Sequence, residues 1–207
     1  MAQKKKPRTP PRPSPTPRGV SKEVLRQSKA RGEETPDAYL RARVREVPDF
    51  PRPGILFKDI VPLLADPKAF HMVLDGLAHP FIGEHVDAVA GIEARGFVFG
   101  GALAARLNAS FVPLRKPGKL PGETDRVSYD LEYGANELEI QEGSLESGAK
   151  VIIVDDLLAT GGTAGAAGEL VRRQGGYVAA YAFVIELDFL KGRRKLSPTP
   201  VVSLLRY

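Results

Sequence analysis

The sequence contains no cysteine among its 207 residues, which excludes disulfide bonds, thiolate chemistry and cysteine-ligated zinc. No apolar run approaches the roughly 20 residues that a membrane-spanning helix needs, and no segment resembles the core of a signal peptide. The three histidines, His71, His79 and His85, share no spacing typical of metal ligands. These absences predict a protein without a membrane span, for which a cytoplasmic location is the natural expectation.

Positive charge is concentrated near the N-terminus. Residues 1–45 hold 13 Lys or Arg against 4 Asp or Glu, whereas the remaining 162 residues hold 17 against 21. Residues 1–19, MAQKKKPRTPPRPSPTPRG, show no apolar periodicity and cannot bury enough surface to offset the entropy lost on ordering. We therefore predict a disordered, basic, proline-rich tail over residues 1–34, followed by a single globular domain over residues 35–207.

Three interpretations of this tail are open. It could tether the protein to nucleic acid or another anionic surface, act as a solubilising extension, or serve as an organellar transit peptide. We favour the extension because residues 1–19 contain no aromatic side chain that could stack on a base. The prolines also disfavour the amphipathic helix that transit peptides need.

The segment 151–163, VIIVDDLLATGGT, carries the strongest functional signal. Residues 151–154 form an apolar run typical of a strand buried on both faces, and residues 164–174 read as a helix. Asp155 and Asp156 stand where the strand is expected to end. The loop between strand and helix contains adjacent glycines, whose backbone N–H groups can turn toward a phosphate at a helix N-terminus.

Two features limit the kinds of ligand that this segment could bind. No Lys follows the glycines as in a Walker loop, and the G-x-G-x-x-G spacing of dinucleotide-binding folds is absent. Carboxylates beside a phosphate would repel it, so Asp155 and Asp156 must face something neutral or cationic. Sugar hydroxyls and a magnesium-bound ligand meet this requirement.

The whole segment resembles the phosphoribosyl pyrophosphate (PRPP) signature of type I phosphoribosyltransferases, and its DLLATGGT form is similar to that of the adenine phosphoribosyltransferase family. The resemblance implies that Asp155 and Asp156, here the acidic pair, bind the ribose 2′ and 3′ hydroxyls. It also implies Mg²⁺ as a cofactor that arrives with PRPP and has no direct protein ligands. The 5′-phosphate would be wrapped by a phosphate loop composed of Ala159, Thr160, Gly161, Gly162 and Thr163.

A second match lies upstream. The PDFP…PG…FKDI arrangement over residues 48–60 resembles the family's purine-binding segment. It implies that Phe57 stacks on the adenine ring and that the backbone at Leu56 and Lys58 bonds its edge. The family often has Arg at the position of Lys58. If the family binds the purine through this side chain, the planar guanidinium group of Arg is lost here. If it binds the purine only through the backbone, the change to Lys is harmless.

Three further matches complete the resemblance. GIEARGF, residues 91–97, is similar to the pyrophosphate loop, which has a cis peptide before Ala94 and uses Arg95 on the pyrophosphate or the base. The SYDLEYG motif, residues 128–134, resembles a flexible lid in which Glu132 handles the purine proton and Tyr133 contacts phosphate or lid. A cation loop, residues 115–122, would hold the pyrophosphate and reach a neighbouring subunit, which implies a homodimer; its cations are Arg115, Lys116 and Lys119.

The remaining pattern predicts a doubly wound parallel α/β sheet with its sites at the C-terminal ends of the strands. The family resemblance adds a small hood and the β-hairpin lid. Predicted helices cover residues 38–46, capped by Thr35, and residues 66–79 and 96–107. An irregular loop covers 47–54 and a linker or short helix 187–196. Predicted strands cover residues 87–92, 110–114, 127–132, 137–142, 177–186 and 201–207.

The sequence thus implies an enzyme that converts adenine and PRPP to AMP and pyrophosphate. Three alternatives remain open. One is a phosphoribosyltransferase for another nucleobase, although its purine-binding and hairpin motifs would differ from those found here. The second is a PRPP-binding regulator, which would normally carry a folded DNA-binding domain that the N-terminal 45 residues cannot supply. The third is an enzyme whose tail also tethers it to nucleic acid; salt-sensitive DNA retention that is lost on deleting residues 1–34 would support it.

Overall fold

The computed structural model describes residues 34–131 and 134–207. The predicted tail, apart from Glu34, lies outside these ranges, as do Glu132 and Tyr133. Short 3₁₀ turns occur at His79–Phe81, Asp188–Leu190 and Gly192–Leu196. The helices and strands are α1 (Pro36–Arg41), β1 (Arg45–Pro48), β2 (Leu56–Asp59), α2 (Val61–Leu64), α3 (Pro67–Ala78), β3 (Ala88–Ile92), α4 (Gly96–Leu107), β4 (Ser110–Leu114), β5 (Thr124–Leu131), β6 (Gly134–Gln141), β7 (Lys150–Leu158), α5 (Gly162–Arg173), β8 (Tyr177–Glu186) and β9 (Val201–Arg206).

A parallel sheet of five strands, in the order β4-β3-β7-β8-β9, forms the centre of the described part of the chain. Alternate residues of a strand point to opposite faces, so each strand supplies two cores. On one face Val89 and Ile152 pack with α3 and α4. On the other face Ala90 and Ile153 pack with α5 and the β5–β6 hairpin. This two-sided burial confirms the doubly wound α/β fold.

Two smaller antiparallel sheets flank the central one. The hood is the β1–β2 pair, in which Glu46 lies opposite Lys58 and Val47 opposite Phe57. The lid hairpin is the β5–β6 pair, and its buried Val127 belongs to the core beneath α5. The hairpin prediction is confirmed, although its strands begin and end at different residues from those predicted.

The predicted helix over residues 38–46 is wrong in extent. Thr35 caps the helix as expected, accepting a hydrogen bond from the Ala38 N–H at 3.2 Å, but α1 ends at Arg41. Residues 45–48 instead pair with β2, which also removes Val47 and Pro48 from the predicted loop. Six residues make too few hydrogen bonds to propagate a helix alone, and pairing with β2 satisfies the backbone beyond it.

The strand that carries the acidic pair is longer than predicted. β7 continues through Asp155 and Asp156 to Leu158, because β8 runs beside it to the Leu158–Glu186 pair. The acidic pair therefore lies within the hydrogen-bonded strand and not after it. The other predicted helices and the other four strands of the central sheet are confirmed to within two residues at their ends.

Candidate active site

The candidate site lies along the C-terminal edge of the central sheet, where three adjacent strands deliver the predicted residues. β3 lies between β4 and β7. Arg95 follows β3, Arg115 follows β4, and the acidic pair stands near the end of β7. This edge is where ligands bind in doubly wound sheets, because the loops after successive parallel strands meet there.

The acidic pair is held largely out of water. Only 3% of the Asp156 surface is exposed, and Asp155 is partly buried. Burial raises the pKa of Asp155 well above its usual range, and the neighbouring Asp156 carboxylate raises it further. Burial also raises the pKa of Asp156, while Arg95 opposes the rise. Holding two adjacent carboxylates here works against folding, which is typical of a functional site.

Among the described residues, one oxygen of the acidic pair has no hydrogen-bond partner. Arg95 Nε lies 2.9 Å from Asp156 Oδ2, but not in hydrogen-bond geometry, so within the described ranges this buried oxygen accepts no hydrogen bond. An unsatisfied buried acceptor is costly and calls for an explanation. A ligand hydroxyl that donates to Asp156 would supply it.

Arg95 also connects the acidic pair to the predicted purine site. The Arg95 guanidinium lies 5.4 Å from the centroid of the Phe57 ring, within range of a cation–π contact. The Phe50 ring meets Phe57 edge-on at 5.1 Å. The peptide bond between Glu93 and Ala94 is cis, as the resemblance implied. The structure therefore brings Phe57, Arg95 and Asp156 together.

The phosphate loop leads directly into α5. Gly161 has a φ of 80°, a left-handed conformation that glycine adopts without strain, and α5 begins at Gly162. The loop and the acidic pair line one cavity of about 230 Å³, which Arg95 and Phe183 also border. A helix N-terminus with free N–H groups is suited to binding a phosphate.

The cations predicted to hold pyrophosphate are partly engaged by a carboxylate. Arg115 Nε lies 3.1 Å from Glu93 Oε2, and Lys119 bonds to the other oxygen of Glu93. The Lys116 backbone N–H also donates to Glu93, whereas the Lys116 side chain is exposed. Burial alone would raise the pKa of Glu93. The hydrogen bonds from Lys119, the Lys116 backbone and Arg115 outweigh burial and lower that pKa to about 2.

The Lys58 side chain does not enter the site. Lys58 is 7% exposed, and its ammonium group bonds to the Glu46 carboxylate and lies 4.0 Å from the centroid of the Tyr207 ring. Lys58, which lies in β2, could therefore contact a purine only through its backbone. The structure thus favours the interpretation in which the exchange of Arg for Lys is harmless.

The lid hairpin is connected to the cation loop through Glu139. This residue of β6 is 2% exposed; its carboxylate accepts hydrogen bonds from the Gly118 N–H at 3.1 Å and from Arg126 at 2.5 Å. Its backbone also pairs with that of Arg115. Hairpin and cation loop are therefore physically coupled. The lid residues Glu132 and Tyr133 fall outside the described ranges.

Sequence reasoning missed three side chains around the site: Glu93, Glu139 and Tyr207. Glu93 carried a usable signal, since it stands two residues before Arg95 in a motif already singled out. Glu139 and Tyr207 carried none, because the partners of their side chains lie 13 or more residues away in the sequence.

The described residues also bear on metal binding and on membrane insertion. In the two described stretches, no group of three or more His, Cys, Asp or Glu side chains is arranged to hold a metal ion. None of the helices in these stretches has both the length and the apolar character needed to cross a membrane.

Comparison with known proteins agrees with this geometry. Residues 64–202 match the model of the phosphoribosyl transferase domain. A curated adenine phosphoribosyltransferase from Sorangium cellulosum is 66% identical over 174 residues, which cover 82% of this chain and 87% of that protein. The chain belongs to the adenine phosphoribosyltransferase family. Membership confirms the resemblance seen in the sequence and its assignment as a transferase.

Solved structures of the family confirm the fold. An adenine phosphoribosyltransferase from Thermoanaerobacter pseudethanolicus shares 50% identity and a TM-score of 0.79, covering 82% of this chain and 98% of that one. An adenine phosphoribosyltransferase from Saccharomyces cerevisiae, complexed with adenine and an imino-altritol bisphosphate, is 45% identical with a TM-score of 0.78. The match covers 82% of this chain and 98% of that one.

Proposed function

We propose that the site transfers the 5-phosphoribosyl group from PRPP to adenine, giving AMP and pyrophosphate in purine salvage. The observation that carries this proposal is the buried, unsatisfied oxygen of Asp156 next to Asp155 and a glycine loop at a helix N-terminus. A ribose 5-phosphate offers two adjacent hydroxyls and one phosphate, which match the acidic pair and the phosphate loop in number and chemistry.

In the proposed reaction the bond between C1′ and pyrophosphate breaks and the bond between C1′ and purine N9 forms. The acidic pair holds the ribose diol, and Phe57 stacks on the base. Binding both partners in line removes much of the entropic cost of the reaction. The N9 proton passes to Glu132, and Tyr133 contacts the phosphate or closes the lid; both roles rest on the family resemblance.

The departing pyrophosphate carries the negative charge that the cation loop is suited to stabilise. Arg95, Lys116 and the Glu93-bound Arg115 and Lys119 are the proposed cations. Arg115 and Lys119 would exchange the Glu93 carboxylate for phosphate oxygens when PRPP enters. A carboxylate in that place holds the cations in position before the substrate arrives.

The donor set fits Mg²⁺ that arrives with PRPP. Mg²⁺ keeps several waters and is usually held by one or two carboxylates together with substrate phosphates, so a cage of protein ligands is not required. When bound, the metal would neutralise charge on the pyrophosphate. The acidic pair would orient the hydroxyl oxygens beside it.

Three further properties belong to the proposal. The family resemblance of the cation loop supports a homodimer in which part of this loop reaches the neighbouring site. A cytoplasmic location remains a prediction of the sequence. The division into a tail, residues 1–34, and a catalytic domain, residues 35–207, is part of the same proposal, with a solubilising role for the tail favoured over nucleic-acid binding.

The test is incubation of the purified protein with PRPP, Mg²⁺ and one nucleobase at a time, with pyrophosphate and nucleotide as readouts. We expect AMP from adenine, and little product from hypoxanthine, xanthine or orotate. An Asp155→Asn, Asp156→Asn double variant serves as the control for contaminating activity and should form no AMP. Product from another base but not adenine would assign a different substrate, and no product from any base would overturn the proposal.

A further inference from the structure

Gly192 lies against the phosphate loop from outside the segment that the family signature covers. A Cβ atom added to Gly192 would lie 2.1 Å from the Ala159 carbonyl oxygen and 2.9 Å from the Gly161 nitrogen. A Cβ added to Gly161 would lie 2.5 Å from the Gly192 carbonyl oxygen. Real Cβ contacts are not this short, so the two backbones pack in direct contact.

The need for glycine at this position comes from space and not from backbone torsion. Gly192 is not among the glycines with positive φ, whereas Gly161 is. An alanine at position 192 would therefore be free of torsional strain but would have to displace the Ala159 carbonyl. Since that carbonyl is backbone, the phosphate loop itself would have to move.

An ion pair fixes the residue that follows Gly192. Arg193 donates through Nε to Glu186 Oε1 at 2.9 Å and through Nη2 to Oε2 at 2.5 Å, a bidentate contact with a carboxylate that is 3% exposed. Its Nη1 donates to the Val201 carbonyl at 2.7 Å, and Ser203 Oγ donates to Glu186 at 2.6 Å. Arg193 is thus anchored to the ends of β8 and β9.

We infer that Gly192, Arg193 and Glu186, here called the Gly192 support, position the phosphate loop for the 5′-phosphate of PRPP and AMP. The inference rests on the proposed function, since it assumes that the loop binds phosphate. None of the three residues lines the cavity formed by the acidic pair and the phosphate loop, so they act through Ala159 and Gly161. A loop that must present several N–H groups to one phosphate is sensitive to displacement, because each N–H group that moves out of reach loses a charge-assisted hydrogen bond.

The experiment compares AMP with adenosine, which lacks the phosphate, by titration calorimetry on the full-length protein. The ratio of the two dissociation constants measures the phosphate preference. For Gly192→Ala we expect this preference to fall about 100-fold, which corresponds to the loss of about two charge-assisted hydrogen bonds, with adenosine affinity nearly unchanged. Gly165→Ala is the matched control, because a Cβ at Gly165 would meet no atom of the described residues within 4 Å, and it should keep the wild-type preference.

A second variant tests the ion pair without introducing a clash. Glu186→Gln with Arg193→Gln removes both charges, so no unpaired charge is left buried. We expect its phosphate preference to fall about tenfold, because the anchor of Gly192 is weakened and not displaced. If Gly192→Ala does not fold, this double variant, here called the neutral pair, alone tests whether the Gly192 support positions the phosphate loop.

The outcomes separate the inference from the proposed function. A wild-type protein that binds AMP no better than adenosine would contradict the phosphate loop itself. A wild-type preference that persists in folded Gly192→Ala, or in the neutral pair where Gly192→Ala does not fold, would overturn the Gly192 support. An equal loss of AMP and adenosine affinity would also overturn it, because that result indicates a general loss of structure.

Discussion

The ammonium group of Lys58 lies 4.0 Å from the centroid of the Tyr207 ring. Lys58 belongs to the hood and follows Phe57, whereas Tyr207 follows β9. The backbone of Tyr207 is fixed by hydrogen bonds with Glu186 and Asp188. This contact ties the hood to the central sheet, whereas the bond between Lys58 and Glu46 joins the two strands of the hood to each other.

Tyr207→Leu removes the aromatic face beneath Lys58 and is expected to loosen the hood. A partly buried cation–π contact contributes about 1 kcal/mol, so the KM for adenine should rise about fivefold. The KM for PRPP should not change, because the acidic pair and the phosphate loop lie on other elements. Tyr207→Phe keeps the ring and is the control. Steady-state kinetics with each substrate varied in turn would show whether only the KM for adenine rises. An equal rise in the KM values for adenine and PRPP would argue against a role of Tyr207 in holding the hood.

Asp155→Asn should lower kcat/KM by about 100-fold or more while raising thermal stability. The folded protein raises the pKa of Asp155, so its carboxyl holds a proton more tightly when folded than when unfolded. Ionisation at pH 7 therefore costs folding free energy, and a neutral amide removes that cost. Kinetics and a thermal melt on the same sample test both parts. A lower melting temperature would mean that the acidic pair stabilises the fold.

Glu93→Gln should change the dependence of stability on pH. The pKa of Glu93 is about 2 in the folded protein against an ordinary 4.5, so the carboxylate contributes stability that is fully present above about pH 4.5. That contribution is lost as the pH falls toward 2. Denaturant unfolding at several pH values should show the wild type more stable than Glu93→Gln near neutrality, and the gap should close below pH 4. A stability difference between the two proteins that does not change with pH would show that the ionised Glu93 carboxylate is not its cause.

Glu139→Gln tests the connection between the lid hairpin and the cation loop. Weakening the charged hydrogen bonds to Gly118 and Arg126 should lower the free energy of unfolding by about 2 kcal/mol. The KM for PRPP should rise, because the loop that carries the cations loses an anchor. Glu137→Gln is the matched control: Glu137 also pairs with Arg126, but its side chain is 38% exposed, so its change should cost less than about 0.5 kcal/mol. Similar losses in the two variants would show that the Gly118 contact contributes little.

Local patterns identified most of the fold and the centre of the site. The apolar run before Asp155, the helical spacing of residues 66–79 and the turn chemistry near Thr35 each act within one element, so the sequence predicts them. The extent of β7 was not predictable, because β8 beside it decides where pairing stops. The same applies to β1, whose strand conformation depends on β2 eight or more residues later.

The surroundings of the site were harder to predict than its centre. Arg95 and the acidic pair stand in contiguous motifs, whereas the Lys58–Tyr207 contact joins residues at opposite ends of the domain. The packing of Gly192 on the phosphate loop depends on how two loops meet across the sheet edge. No periodicity or spacing encodes such contacts, since they are consequences of the completed fold.

A crystal structure with AMP tests the central claim most directly. The account predicts the ribose hydroxyls within hydrogen-bond distance of the Asp155 and Asp156 carboxylates, with one of them satisfying Asp156 Oδ2. The phosphate should lie against the N–H groups of the phosphate loop and the base against Phe57. A nucleotide bound away from the acidic pair, or with its phosphate away from residues 159–163, would contradict the account.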